Sequence, residues 1–393
     1  MNPKADAPAV VLLRRGMERW QRGHPWIYRS DLKSSEGLVG GEVVRVLDHR
    51  GWFVGQAFYS KQSKIALRWL TYQDVPVNAD FFRARILQAQ ALRERVYPLE
   101  QTYRAIYSEA DLLPGLIVDR YGDYLSAQFL VKGTEDRKEL LADLLVETWG
   151  ARGLMNRSDA GVRTLEGLAP VKEVLRGEIP PFVEYSEGAL RLRADLREGQ
   201  KTGSFLDQKD NHLRSTTYAL GQALDCFAYS GGFALQLATR AAQVTAIEIS
   251  EHAVALLKAN AELNRLQNVE VVLANAFDFL RDAVEDGRQF DTVVLDPPSF
   301  ARKKGDIEAA LRGYKEINLR AMQLLGPGGF LLTCSCSHHV SEALFEQILE
   351  SAAADAKRRL QIVERRGASV DHPVLLSLPE TRYLKCFVLR ALQ

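Results

Sequence analysis

Two short segments carry side chains that could do chemistry on a nucleobase. Leu295-Asp296-Pro297-Pro298-Ser299-Phe300 closes an apolar run with an acid and two prolines, and Thr333-Cys334-Ser335-Cys336-Ser337 closes another with two thiols. If both runs are strands of one parallel α/β sheet, their ends fall on the same rim, where such sheets bind ligands. An acid able to hold a base edge and a thiol able to attack the base would then face each other. That pair suits methylation at carbon 5 of a pyrimidine. Carbon 5 of cytosine is a poor nucleophile on its own, and a thiolate that adds to carbon 6 pushes electron density onto it. A polar rim favours the ionised thiol. Asp296 can hydrogen-bond the ring nitrogen and the amine, stabilising charge there. A base must then remove the carbon 5 proton, and the sequence assigns none; His338 and His339 fit better as surface residues at the start of a helix. The target base must leave its stack to be reached.

Placing these segments on one rim requires a particular order of elements. From about Ala194 strands alternate with helices. Strands are predicted at Ala223–Phe227, Val244–Ile249, Val269–Leu273, Thr292–Leu295, Gly329–Thr333, Leu360–Glu364 and Tyr383–Leu389, and helices near Phe233–Arg240, Glu251–Asn264, Asn275–Glu285, Asp306–Leu325 and Val340–Lys357. That rhythm is a doubly wound parallel sheet. The stretch between the last two strands is short and holds two prolines, so these strands should form a hairpin-like edge. Upstream, residues 8–75 show short strands with turns at Gly40-Gly41 and Arg50-Gly51, a small β-barrel. The spacing of Phe81, Phe82, Ile86, Ala89 and Leu92 predicts a helix over Asp80–Tyr97. Strands over Tyr103–Val131, a helix over Thr134–Trp149 and further strands to about Leu192 make a central α+β domain. Three domains are expected: 1–75, 76–192 and 193–393.

The turn after the first strand of the sheet reads Asp225-Cys226-Phe227-Ala228-Tyr229-Ser230-Gly231-Gly232-Phe233. Its glycines let the backbone turn tightly and approach a ligand. The spacing is not the G-x-G-x-x-G of dinucleotide folds. Glu248 ends the next strand, where an acid can accept both hydroxyls of a ribose. A glycine turn followed by such an acid points to an adenosine-bearing cofactor.

Composition sets outer bounds. With 46% apolar and 26% charged residues, the 393-residue chain reads as globular and too long for one ordinary core. No apolar run reaches the roughly 18 residues of a membrane helix. The N-terminus lacks a basic region followed by an apolar signal core, so a cytoplasmic location is expected. The four cysteines have no zinc-ligand spacing, no metal is expected, and free thiols in a reducing compartment are the default. Cys226 and Cys386 read as buried small residues. Net charge is +1, yet residues 1–75 hold 12 Lys and Arg against 7 Asp and Glu. A basic N-terminal module on a near-neutral body fits phosphate binding, and fits a solvated face equally well. Trp20, Trp26 and Tyr28 there could stack bases or pack the core.

Several stretches together resemble one family. They are Gly199-Gln200-Lys201-Thr202-Gly203-Ser204-Phe205-Leu206-Asp207-Gln208, Cys226 to Phe233, Asp296 to Phe300, Arg312-Gly313-Tyr314-Lys315 and Ser335-Cys336-Ser337. His24 to Tyr28, Asp111 to Gly122, Asp371-His372-Pro373 and Tyr383-Leu384-Lys385 extend the match over nearly the whole chain. The chain is similar to the bacterial 23S rRNA cytosine-5 methyltransferases with an N-terminal PUA domain. The resemblance implies a C-terminal Rossmann-like class I methyltransferase sheet behind a PUA-like barrel. It implies S-adenosylmethionine as cofactor and 23S rRNA, or the ribosomal subunit, as partner, and leaves a homodimer open. Cofactor contacts would come from Lys201, Phe205, Asp207, Gln208, Phe227, Tyr229, Gly231, Gly232, Phe233, Glu248, Asn275, Ala276 and Asp296. Cys336 aligns with the family's nucleophile, while the Thr-Cys-Ser element of broader RNA cytosine methyltransferases also fits Cys334. Ser299 stands where many relatives carry a second, product-releasing cysteine. Asn275 replaces the acid often found near the adenine amine, and its amide oxygen can still accept a hydrogen bond. Two other readings stay open: an adenine amino-methyltransferase, which needs no thiol, and a non-catalytic RNA-binding protein.

Overall fold

In the computed structural model, which describes residues 8–301 and 304–392, the chain forms two compact units. One takes the chain up to Tyr185 with Ala194–Leu206 and Val370–Thr381; the other takes Ser186–Arg193, Asp207–Ser369 and the C-terminal residues from Arg382.

The first unit begins with β1 (Ala9–Val11), α1 (Arg14–Gln21), β2 (Trp26–Tyr28), β3 (Val43–Leu47), β4 (Phe53–Tyr59) and β5 (Ile65–Thr71), whose strands form one sheet in the order β1-β3-β4-β5-β2. Alternation of apolar residues along β3 puts Val44 and Val46 inside, where they meet Leu12, Trp20, Ile27 and Leu67. Trp20 therefore belongs to the core, its indole donating to the Val54 carbonyl at 3.1 Å. Trp26 donates to Glu109 at 2.7 Å. The helix α1 was not foreseen from the sequence; its N-cap is Leu13, which offers no side-chain acceptor.

α2 (Ala79–Val96) follows the predicted periodicity, burying Phe82, Ile86 and Ala89, with Asn78 as N-cap. β6 (Thr102–Tyr107), β7 (Leu116–Tyr121) and β8 (Tyr124–Phe129) form a meander, then α3 (Lys132–Glu135), α4 (Lys138–Trp149), β9 (Gly153–Ser158) and β10 (Val171–Gly177) complete a sheet ordered β10-β9-β8-β7-β6. The single helix expected over Thr134–Trp149 is broken at Arg137, whose φ of −113° and ψ of 15° leave the helical region. A hairpin of β11 (Val183–Glu187) and β12 (Leu190–Ala194) follows.

The second unit contains the expected doubly wound sheet. Its elements are α5 (Lys209–Ser215), β13 (Gln222–Cys226), α6 (Gly232–Ala238), β14 (Gln243–Glu248), α7 (Glu251–Leu263), β15 (Val269–Leu273), α8 (Ala276–Glu285), β16 (Phe290–Leu295), α9 (Ile307–Leu324), β17 (Leu325–Ser335), α10 (Glu342–Asp355), β18 (Leu360–Arg366) and β19 (Lys385–Ala391). Strand order is β15-β14-β13-β16-β17-β19-β18, with β19 antiparallel to both neighbours. The apolar runs of β13 and β16 bury Leu224, Val293 and Leu295 among Ile247, Ile317 and Phe345, as strands covered on both faces must. Parallel register aligns Ile247, Cys226, Leu295 and Thr333 across four adjacent strands. β13 and β16 end there, β14 one residue later at Glu248 and β17 two residues later at Ser335, so all four strands end at one rim.

Candidate active site

The turn from β13 into α6 is held in an unfavourable backbone. Phe227 has φ 67° and Tyr229 φ 46°, both left-handed without being glycine, and Gly231 has φ 97°. Such residues cost of order 1–3 kcal/mol each unless their surroundings hold them. Glu248 does part of that holding: its carboxylate accepts the Tyr229 N–H at 2.8 Å and the Ile249 and Ser250 N–H groups at 2.9 Å. At Gly231 a Cβ would come within 3.0 Å of Leu235 and Leu257, and at Gly232 within 2.3 Å of the His212 ring. Both positions thus admit only glycine, which leaves the backbone of the turn bare.

Beneath it lies a set of buried ionisable groups. Asp225, 1% exposed on β13, has no side-chain hydrogen-bond partner among the described residues, and the Ala234 N–H of α6 only weakly favours its charged form. Burial first, and then the neighbouring Asp296, push its pKa well above the usual carboxylate range. His212 of α5 packs edge-on to Phe233, ring centroids 4.5 Å apart, and its Nδ1 is 2.8 Å from Glu187. Burial alone would lower the His212 pKa, but Glu187, with Asp296 and Asp225 behind it, raises it. None of Asp225, His212 and Glu187 was singled out from the sequence. An acid inside a buried strand is a usable signal for Asp225. His212 and Glu187 carry no local pattern.

Asp296 is half-buried at the exit of β16 and accepts the Gln208 amide at 2.8 Å. Gln208 in turn accepts from Asn211 at 2.7 Å, which fixes the amide so that its donor faces the acid. Asp207 accepts the Tyr383 hydroxyl. Phe227, Phe277 and Phe300 form an aromatic group with centroids 5.8–6.5 Å apart. Asn275 is exposed, and its side-chain oxygen caps α8 through the Phe277 N–H at 2.8 Å. Ala276 and Phe233 are buried core residues. Lys201 and Phe205 belong to the first unit, where the ammonium sits 4.4 Å from the ring centroid.

The two thiols differ. Cys334 still lies within β17, fully buried and opposite Cys386 of β19. Burial, reinforced by Cys386, raises its pKa well above that of a free thiol. Cys336 lies just past the strand end, partly exposed, with its sulfur 3.9 Å from the carbonyl oxygen of Pro297. Pro297 directly follows Asp296, so Cys336 and the acid share one corner of the rim. Ser299 meets the Ser337 hydroxyl at 2.9 Å. His338 and His339 are exposed just before α10. No cluster among the described residues could hold a metal ion.

The residues present suit an adenosine-bearing sulfonium cofactor. A cradle lined by backbone, an acid at the next strand end and a buried carboxyl with lone pairs to spare offer acceptors for hydroxyl and ammonium groups.

Comparison with known proteins agrees. Residues 10–72 match the PUA-like domain model and residues 169–385 the S-adenosylmethionine-dependent methyltransferase model. The ribosomal RNA large subunit methyltransferase I of Photobacterium profundum is 40% identical over 388 residues, covering 96% of this chain and 98% of that one. The protein of the same name from Tolumonas auensis is 40% identical, covering 98% and 99%. Among solved structures, a SAM-dependent methyltransferase from Streptococcus mutans covers 98% of this chain and 100% of its own, with a TM-score of 0.83 at 20% identity. A methyltransferase complexed with SAH gives a TM-score of 0.84 at 21% identity over the same shares, a likeness of fold.

Proposed function

Because the chain belongs to the S-adenosylmethionine-dependent methyltransferases that carry an N-terminal PUA-like domain, we propose that it methylates carbon 5 of a cytosine in large-subunit ribosomal RNA through a transient bond from Cys336 to carbon 6. The observation that carries this reading is the corner where the Cys336 sulfur lies 3.9 Å from the Pro297 carbonyl, next to Asp296. An amino-methyltransferase would need the acid and no thiol.

S-adenosylmethionine is the cofactor of the family, and when bound it supplies a methyl group activated by its sulfonium. Glu248, which already holds three backbone N–H groups, would accept a ribose hydroxyl with its remaining lone pair, and Asp225 would face the positively charged end. Asp296, oriented by Gln208, would accept from the cytosine amine or, protonated, donate to the ring nitrogen. Cys336 would add to carbon 6 and leave once the carbon 5 proton is lost. The relatives act on the large-subunit RNA, and the basic N-terminal barrel supports an RNA substrate here.

The test is direct. Incubated with large-subunit rRNA and S-adenosylmethionine, the protein should produce 5-methylcytidine on nucleoside mass analysis. N6-methyladenosine instead would replace this reading with the amino-methyltransferase one.

Loss of the Glu248 carboxylate should weaken cofactor binding. One charge-assisted hydrogen bond of roughly 1.5–3 kcal/mol is at stake. Partial compensation by water leaves an expected ~10- to 100-fold rise in Kd for Glu248→Ala by titration calorimetry. A folded variant with unchanged Kd removes Glu248 from the site.

The barrel's basic face should carry RNA affinity. Arg15, Arg19 and Arg22 of α1 and its flank line a cavity of about 410 Å³ with His24. Arg15 and Arg19 are drawn to the buried Asp31 at 2.8 and 3.5 Å, while the exposed Arg14 pairs, among the described residues, only with the exposed Glu18, at 3.2 Å, and Arg22 is exposed. Replacing Arg14 and Arg22 by alanine should weaken RNA binding and flatten its salt dependence by about 0.7 in log–log slope for each phosphate no longer neutralised. Unchanged slopes would give this face another role.

A further inference from the structure

Lys385 is the first residue of β19, paired in register with Ser335 at the end of β17. That register delivers its side chain to the rim where Cys336 emerges. It is 6% exposed, and its ammonium donates to the carbonyls of Ser337 and Tyr383, each at 2.7 Å. Ser337 directly follows Cys336. Two of the three N–H bonds are thus spent on neutral oxygens, and no carboxylate among the described residues lies within ion-pair distance. A buried ammonium without a counter-ion is costly.

We propose that Lys385 is a positioning residue whose counter-ion is the Cys336 thiolate, and that the pair keeps this sulfur ionised for attack on the RNA base. The inference rests on the reading of Cys336 as the nucleophile. The proton balance is simple: the Cys336 S–H bond breaks, a Lys385 N–H bond forms, and a neutral thiol and amine become a thiolate–ammonium pair of the same total charge. When carbon 6 takes the sulfur, the ammonium stays; when the sulfur leaves, it returns to the same partner.

Burial lowers the Lys385 pKa to about 8, against the opposing pull of Cys336 and, more weakly, of Glu342. That lowered value brings the amine's titration towards the range of an ordinary free thiol. The other groups around the pair do not supply the missing anion. Glu342 is engaged with Arg382 at 2.9 Å, Tyr314 bonds the Ser337 hydroxyl at 2.9 Å, and His338 stacks on Tyr383 with centroids 5.2 Å apart. Asp296 accepts the Gln208 amide at 2.8 Å.

The experiment is the pH profile of Cys336 alkylation by iodoacetamide, read by peptide mass mapping in the full-length protein without RNA. Wild-type Cys336 should show its midpoint clearly below about 8.5, the value of a free thiol. Lys385→Met should move the midpoint up by about one unit or more, and Lys385→Arg, which keeps the charge, should hold it low. A wild-type midpoint at or above about 8.5 overturns the proposal without any variant. So does a folded Lys385→Met with an unshifted profile. The readout involves no methyl transfer, so it stands apart from the role of Cys336. If Cys336→Ala still methylates RNA while the alkylation shift is present, the nucleophile reading fails and the pairing survives.

Discussion

Replacing Cys336 by alanine should stop methylation of the ribosomal RNA, with a loss on the order of 10³-fold or more, the scale seen when a covalent nucleophile is removed. Cofactor binding should be unchanged, because the cradle, Glu248 and Asp225 belong to other strands. Cys334→Ala should behave differently. Its sulfur is buried between β17 and β19 against Cys386, so truncation leaves a small cavity worth about 1 kcal/mol and little change in rate. Radiolabelled methyl incorporation and urea unfolding of both variants separate the two thiols. Full activity in Cys336→Ala with loss in Cys334→Ala would reverse the assignment. Ser299 stands where a releasing cysteine is common, so product release should require no other thiol. A Cys334→Ala enzyme that methylates but remains bonded to RNA would give Cys334 that task.

Asp296→Asn should lower kcat by about 10²- to 10³-fold, the usual effect of removing one preorganised group at developing charge. Its effect on stability should have the opposite sign. Asp225 has a folded-state pKa raised by burial and by Asp296. A carboxyl whose pKa is higher folded than unfolded binds more protons in the native state. Stability from that group is therefore present at low pH and falls as pH rises above the unfolded value near 4. Removing the Asp296 charge relieves part of this penalty. The asparagine variant should be as stable as the wild type at pH 7, or more so, while being a poor enzyme. Urea midpoints compared at pH 5 and pH 7.5, with kcat at the higher pH, check both halves. A variant that is destabilised and keeps its rate would place Asp296 in the scaffold rather than the chemistry.

Local pattern and register made much of the methyltransferase unit readable in advance. The apolar runs of β13, β14, β16 and β17 end where acids, prolines or thiols begin, and parallel pairing brings those ends into line. Each helix between them follows its periodicity to within a few residues of the expected bounds. The failures have physical causes. α1 starts at Arg14 with Leu13 as an N-cap that offers no side-chain acceptor, and its Gly16 passes so close to Asp31 that a Cβ would sit 2.7 Å from that carbonyl, a tertiary contact with no sequence signature. The buried set of Asp225, His212 and Glu187 assembles from a strand, a helix and a hairpin far apart in the chain. The distinction between Cys334 and Cys336 rests on β19, whose antiparallel pairing buries the first thiol and leaves the second past the strand end. Asn275 was expected to offer its oxygen to the cofactor, and that oxygen also caps α8.

The central claim is a bond between the Cys336 sulfur and carbon 6 of a cytosine. Ribosomal RNA carrying 5-fluorocytosine tests it, because fluorine cannot leave carbon 5 as a proton does and the covalent intermediate should accumulate. Digestion and mass analysis of the trapped complex should find the modified nucleotide on the peptide containing Cys336, in wild type and in Cys334→Ala, and no adduct in Cys336→Ala. Methylation of ordinary RNA by the wild-type protein with no adduct on the fluorinated RNA would contradict thiol catalysis.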